Sequence, residues 1–240
     1  ITPWDEKSME FIKSLGVKAV KIASIDANNF HFCNFVASKR LPTIISTGMC
    51  TYDELKKTKK IFQKYNTPHM FLHCTSAYPS DEKDKNLLCI PELRKKLKTD
   101  IGFSGHGKGM AGTVGAVSLG ATVIEKHSTL NKLMAGPDHA ASLEFDVLKD
   151  MIDLAKKVKI SLGKPIKKLH PSEKILKSIL SRKIVARKKI IKGKKLNFKN
   201  IKPVLVYEKY GLKTNEVFKV LNKRAKKNIE KGQIIKLNHV

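Results

Sequence analysis

Two histidines, His106 and His127, are the residues of this 240-residue chain best placed to do chemistry together. Each closes a short apolar run. Gly102-Phe103 leads into Ser104-Gly105-His106, and Ala121 to Ile124 leads into Glu125-Lys126-His127. Between them, the small residues of Thr113 to Leu119 stop at Gly120, and Gly136-Pro137-Asp138 closes the stretch. That is the pattern of strand, short helix, strand. A crossover of this length makes the two strands parallel neighbours, with both imidazoles at one edge of a sheet. Such a pair could share a divalent metal whose other positions go to water and substrate oxygens. Histidine also serves structure or proton transfer, and spacing alone leaves these roles open.

Other polar residues fall at the ends of other apolar runs. Lys21 suits a phosphate ligand or a salt bridge over a buried stem. Ser24, Ser46, Ser76 and Ser104 could bind a phosphate or cap helices. Asp26 could act as a general acid/base, orient a sugar hydroxyl, or cap a helix. Asp138 could grip hydroxyls or serve as an ordinary turn aspartate. His73 and Tyr78 flank a further strand end, where His73 could equally be packed core.

The elements that position these residues alternate. Helices are expected over Asp5–Leu15 (core stripe Met9, Phe11, Ile12, Leu15), Phe32–Lys39, Tyr52–Tyr65, Ile90–Leu97 and Leu143–Leu162. Strands are expected over Ala19–Ala23, Thr43–Ile45 and Met70–His73, followed by the pair that ends in His106 and His127. Ile1-Thr2-Pro3 reads as the tail of a sixth strand. Strands linked through helices predict a parallel sheet. Polar residues collected at the carboxyl ends of several strands favour a (β/α)8 TIM barrel over a doubly wound sheet. A full barrel takes about 250 residues and eight strands. This one is therefore expected to lack its first strands, upstream of Ile1.

Residues 1–165 form the expected partial barrel, 166–181 a basic linker interrupted by Pro171, and 182–240 a small β-rich domain. That last segment carries a two-copy repeat, Ala186 to Leu196 and Ala225 to Ile235, each read as strand, Lys-Gly turn, strand.

Composition bounds the partners. Hydrophobic residues make up 41% of the chain, and no apolar run has the length of a membrane span, so a globular cytoplasmic protein is expected. Four scattered cysteines point to free thiols rather than a disulfide framework. The net charge of +27 is uneven: residues 151–240 hold 27 Lys/Arg against 5 Asp/Glu. The lysines are dispersed and lack interleaved aromatics, which disfavours nucleic acid as a partner without excluding it.

Six blocks together resemble one family: KIASIDANNF (21–30), ISTGM (45–49), LHCTSAYP (72–79), GFSGH (102–106), GATVIEKH (120–127) and GPDHAASLE (136–144). In this order they are similar to the N-acetylneuraminate (sialic acid) synthase family, and the basic tail resembles that family's C-terminal antifreeze-like (SAF, β-clip) domain. The resemblance implies condensation of phosphoenolpyruvate with an N-acetylated hexosamine, giving a nonulosonic acid plus phosphate by C–O cleavage. It implies His106 and His127 as ligands of a divalent metal, manganese before magnesium. Thr2, Lys21, Ser24, Ser46, Ser76 and Ser104 would line the phosphoenolpyruvate site. Asp26 would lie between the substrates, and Tyr78 and Asp138 on the sugar side. It also implies a homodimer in which each tail domain covers the partner's barrel. Lys202-Pro203-Val204 stands where many members have Arg-Pro-Gly. Without the early strands the chain is expected to be inactive by itself. Legionaminic or pseudaminic acid synthesis, and an inactive basic binding module, are the alternatives.

Overall fold

The computed structural model describes residues 1–208 and 210–240, which form two compact units, Ile1–Lys164 and Pro165–Val240. In the first, five strands alternate with helices: α1 (Glu6–Ser14), β1 (Val20–Ile22), α2 (Phe30–Ser38), β2 (Thr43–Ser46), α3 (Tyr52–Lys64), β3 (His69–Cys74), α4 (Cys89–Leu97), β4 (Ile101–Gly105), α5 (Ala111–Ser118), β5 (Ile124–Lys126) and α6 (Phe145–Ser161). All neighbours are parallel and follow chain order from β1 to β5.

Local chemistry sets the helix starts. Asp5 accepts the Ser8 N–H at the head of α1. Thr51 and Glu54 form a reciprocal capping box at α3, which holds the Glu54 carboxyl down at about 2. Met9 and Ile12 bury the inner face of α1. Phe11 and Leu15, expected in the same stripe, lie 64% and 56% exposed. Phe11 sits about 200° around the helix from Met9, on the opposite side. Leu15 falls beyond the last helical residue.

The register sorts side chains between two faces. Val20, Ile22, Ile45, Phe71 and Phe103 are buried in the core shared with the helices. One residue along, the opposite parity carries Lys21, Ser46, Cys74, Ser104 and Glu125, with Cys74 opposite Ser104 and Ser104 opposite Glu125. That second face is concave. In a flat sheet the outer strands β1 and β5 would stand about 19 Å apart. Lys21 on β1 nevertheless places its Nζ 3.3 Å from Glu125 Oε2 on β5. Only a sheet curled into a half-barrel allows that contact.

Two imidazoles of β3, His73 buried and His69 half-buried, bond backbone carbonyls. His69 bonds the Thr67 carbonyl through Nδ1 at 2.8 Å, and His73 bonds the Lys85 carbonyl through Nε2 at 2.7 Å. Burial, their largest influence, depresses both pKa values below the usual histidine range. A depressed folded value means that their stabilisation is present above the unfolded pKa of about 6.5 and drains as pH falls through the folded values. The melting temperature should therefore drop from about pH 7 to about pH 5, with a shallower slope in His69→Phe. Thermal unfolding followed by circular dichroism checks this; equal slopes in both proteins would refute it.

In the second unit, the segment read as a linker contains an exposed helix, α7 (Glu173–Leu180). Two antiparallel strands follow, β6 (Lys183–Ala186) and β7 (Ile201–Val204). The repeat does not form the expected pair of two-stranded hairpins. Its copies instead pair with each other through single bridges about a pseudo-dyad at an offset of 39 positions. Ile190 and Ile229 exchange N–H···O bonds of 2.9 Å in both directions. The Gly193 N–H donates to Ala225 at 2.7 Å, and its counterpart Gly232 donates to Ala186 at 2.8 Å. Both glycines hold a left-handed turn, φ 86° and 82°. Turns this closely spaced leave single bridges where longer segments would have built ladders.

Candidate functional site

A cavity of about 410 Å³ opens on the concave face, lined by Thr2, Trp4, Lys21, Ala23, Ser24, Ser46, Tyr78, Ser104, His106, Glu125, His127 and Asp138. These residues come from β1, β2, β4 and β5, from the segments after β1, β3, β4 and β5, and, for Thr2 and Trp4, from the segment before α1. The inward parity of β1, β2, β4 and β5 supplies Lys21, Ser46, Ser104 and Glu125, and the residues just past β4 and β5 supply His106 and His127.

One wall is made of hydroxyls and a cation. The Gly48 N–H donates to Ser24 Oγ at 3.1 Å, and Ser24 Oγ donates toward Cys74 Sγ at 3.5 Å. Ser104 Oγ donates to Glu125 Oε1 at 2.7 Å, while the second Glu125 oxygen faces Lys21. Ser46 is 2% exposed, and its Oγ has no hydrogen-bond partner among the described residues. A buried hydroxyl left unpaired costs roughly 1–3 kcal/mol, so its position on a cavity wall points to a partner that arrives with a ligand.

The other wall is imidazole. The His106 and His127 rings lie 5.1 Å apart, nearly perpendicular, and the Tyr78 ring packs 4.3 Å from His106. His106 Nδ1 lies 3.2 Å from the Thr75 carbonyl, which assigns the proton to Nδ1 and leaves the Nε2 lone pair free. Burial lowers the His106 pKa; burial and then the neighbouring His106 lower that of His127. Both shifts favour the neutral ring, the form that can act as a metal ligand. Asp138 Oδ2 stands 3.9 Å from His127 Nδ1, beyond hydrogen-bond reach.

No set of three His, Cys, Asp or Glu ligands occurs among the described residues. A closed structural zinc site is therefore not formed here. Two neutral imidazoles, one of them fixed by a carbonyl, fit a cation that draws its remaining ligands from water and substrate oxygens.

Two of the sequence-derived residues lie off this cavity. Asp26 sits in the 3-10 turn after β1, where its Oδ1 accepts from Asn29 Nδ2 at 3.0 Å, a local turn role. Ser76 lines a neighbouring pocket with Cys74, His73 and Cys89, although its hydroxyl approaches Ser24 over Gly48. Sequence reasoning passed over Glu125. The signal was present, since Glu125 shares strand parity with His127 and so faces inward with it.

This arrangement defines the class: a parallel β/α half-barrel with its site at the carboxyl ends of the strands. The chain belongs to the NeuB family, whose pattern matches residues 1–167. It is 39% identical over 237 residues to a pseudaminic acid synthase of Campylobacter jejuni, covering 98% of this chain and 68% of that protein. It is 38% identical to the N-acetylneuraminate-9-phosphate synthase of Homo sapiens, covering 96% of this chain and 64% of that one. The crystal structure of an N-acetylneuraminic acid synthetase from Leptospira borgpetersenii, in complex with citrate, superposes with a TM-score of 0.69 at 34% identity. That match covers 73% of this chain and 61% of the other. The chain thus spans about two thirds of the length of these relatives. Among its described residues, no helix is long and apolar enough to cross a membrane.

Proposed function

We propose that this chain is the phosphoenolpyruvate- and metal-binding portion of a synthase that condenses phosphoenolpyruvate with an N-acetylated hexosamine to give a nonulosonic acid and phosphate. The observation that carries the reading is the unpartnered Ser46 hydroxyl in a cavity that also holds Lys21, Ser24 and Ser104. Those groups would hold the phosphate. Lys21 would move from Glu125 to the incoming dianion, and the hydroxyls would donate to its oxygens. Thr2 would complete that wall. Ser76 would act through the cradle above Gly48, and Tyr78 and Asp138 would face the sugar. Asp26, at the turn after β1, would contact substrate only if that turn rearranges.

A divalent metal held by His106 and His127, manganese before magnesium, would polarise the sugar aldehyde for attack by carbon 3 of phosphoenolpyruvate. Water adding at carbon 2 would supply the keto oxygen, and the cationic and hydroxyl wall would stabilise the phosphate as it departs from that carbon with its bridging oxygen. Residues 1–165 would be part of a (β/α)8 barrel. Residues 182–240 would form the antifreeze-like domain that covers the partner's barrel in a homodimer, with Lys202-Pro203-Val204 in place of the usual Arg-Pro-Gly.

Identities of 39% and 38% to a pseudaminic and a sialic-type synthase do not separate the sugars, so the six-carbon substrate is assigned only as an N-acetylhexosamine. The test is phosphate release from phosphoenolpyruvate with N-acetylmannosamine, with and without manganese, in a protein carrying the upstream strands. Metal-independent inertness toward every N-acetylhexosamine would overturn the assignment. Salt-sensitive nucleic-acid binding without manganese affinity would favour a basic binding module instead.

The cradle also makes Gly48 specific. A Cβ there would lie 2.1 Å from Ser76 Oγ and 2.8 Å from Ser24 Oγ. Gly48→Ala should displace both hydroxyls and weaken phosphoenolpyruvate binding about tenfold, the loss of one or two hydrogen bonds, with little change in melting temperature. Calorimetric titration checks it, and unchanged affinity would remove these hydroxyls from the site.

A further inference from the structure

The pseudo-dyad of the second unit provides an internal comparison. Asn200 and His239 occupy equivalent positions: the Arg187 N–H donates to the Asn200 carbonyl and the Lys226 N–H to the His239 carbonyl, both at 2.8 Å. Both side chains are buried, at 4% and 2% exposure. Asn200 is fully engaged by its surroundings. Its Oδ1 accepts from the Asn197 N–H at 2.8 Å, and its Nδ2 donates to the Lys195 carbonyl at 2.9 Å. It is a structural cap. His239 departs from that pattern, because its Nδ1 has no partner among the described residues.

What distinguishes the second copy is a cavity. A polar pocket of about 410 Å³ is lined by His239 with Tyr210, Lys227, Gln233, Lys236 and Asn238, and no carboxylate lines it. Lys227 and Lys236 pair with no acid among the described residues, and Lys236 Nζ is steadied 4.3 Å over the Tyr210 ring. Burial first, then Lys227 and Lys236, depress the His239 pKa, both ammonium groups acting against the charged ring. A pocket with two cations, two amides and an imidazole lacking a partner is short of one thing, an oxyanion.

We propose that this pocket binds a small phosphate-bearing anion, with Lys227 and Lys236 supplying charge and His239 and the amides supplying directed hydrogen bonds. The site lies wholly within the second unit, and the proposal does not depend on the function assigned to the first. In copy one the equivalent position serves structure alone; in copy two the same buried position has been given over to a ligand.

The experiment uses the full chain and inorganic phosphate, with histidine side-chain NMR as the readout. The His239 resonances are identified by their loss in His239→Asn. Phosphate should shift them saturably in the native protein and equally in Lys21→Ala, which removes the cation of the first cavity. In Lys227→Gln/Lys236→Gln the affinity read from that shift should fall about tenfold or more. His239→Asn, which installs the cap residue of the other copy, should keep the melting temperature while losing phosphate binding at this pocket, read from the Lys227 and Lys236 side-chain signals. The proposal is overturned if the His239 resonances do not move with phosphate. It is also overturned if sodium chloride at matched ionic strength moves them as far, or if the double lysine variant binds as the native protein does.

Discussion

Lys21→Ala should weaken phosphoenolpyruvate binding by roughly 30-fold or more, the largest single effect expected on that ligand. Two terms act in the same direction. The substitution removes the one lysine lining the cavity, whose side chain is 15% exposed and already desolvated. It also leaves Glu125 inside the concave face with only the Ser104 hydroxyl to offset its charge, so a cavity that also holds Asp138 loses its cation and becomes more anionic. Truncating one member of a buried charged pair costs about 2–5 kcal/mol. The 40% exposure of Glu125 calls for the lower end of that range through solvent screening, about 2 kcal/mol. Glu125→Gln separates the two terms. It frees Lys21 without adding a charge, so its affinity should equal or exceed that of the native protein, and the double variant should recover part of the Lys21→Ala loss. A calorimetric double-mutant cycle at fixed ionic strength reads this coupling. Native-like affinity in Lys21→Ala, with its melting temperature unchanged, would show that the phosphate binds elsewhere.

That pair also marks where the sequence was legible and where it was not. The order of strands and helices could be read because each strand is a short apolar run and each helix a 3.6-residue stripe, and both signals are local. The convergence of Lys21, Ser24, Ser46, Ser104, His106 and His127 followed from one further step, since strand ends on a curled parallel sheet meet. Glu125 escaped because its significance lies in a partner 104 positions away, and no local pattern encodes an ion pair across a half-barrel. Asp26 shows the other limit: its type and place in a strand-end block suit an acid/base, and in the turn after β1 it accepts from Asn29, a contact three residues away that the block does not announce. The tail was half legible. The repeat announced itself through identical Lys-Gly turns, but its mode of pairing, copy against copy, depends on geometry that alternation of residue types does not specify.

Replacing either histidine should abolish manganese retention, and the pair should not behave symmetrically. His106 is fixed on two sides, by the Thr75 carbonyl at Nδ1 and by the Tyr78 ring, so it is preorganised before any ligand arrives. His127 meets the His106 ring at 5.1 Å and the Tyr78 ring at 5.8 Å, with an Asp138 oxygen out of bonding range and no ring hydrogen bond among the described residues. With two protein ligands, removing one leaves a single imidazole, and affinity should fall about 100-fold or more, beyond the 10–100-fold typical of losing an outer-shell partner. His106→Ala should be the more damaging, because the ring lost is the one whose orientation the fold has already fixed. Since the remaining coordination positions must come from water or substrate, phosphoenolpyruvate and manganese should each tighten the binding of the other by the same factor. Lys21→Ala should erase that coupling while leaving manganese binding in the absence of phosphoenolpyruvate nearly intact, because in the proposed site Lys21 would hold the ligand and not the metal. Electron paramagnetic resonance of free against bound manganese, titrated with and without phosphoenolpyruvate, measures both quantities on one sample. Equal manganese affinity in the native chain and in His106→Ala/His127→Ala would dismiss the imidazole pair as a metal site and leave it as packing around Tyr78.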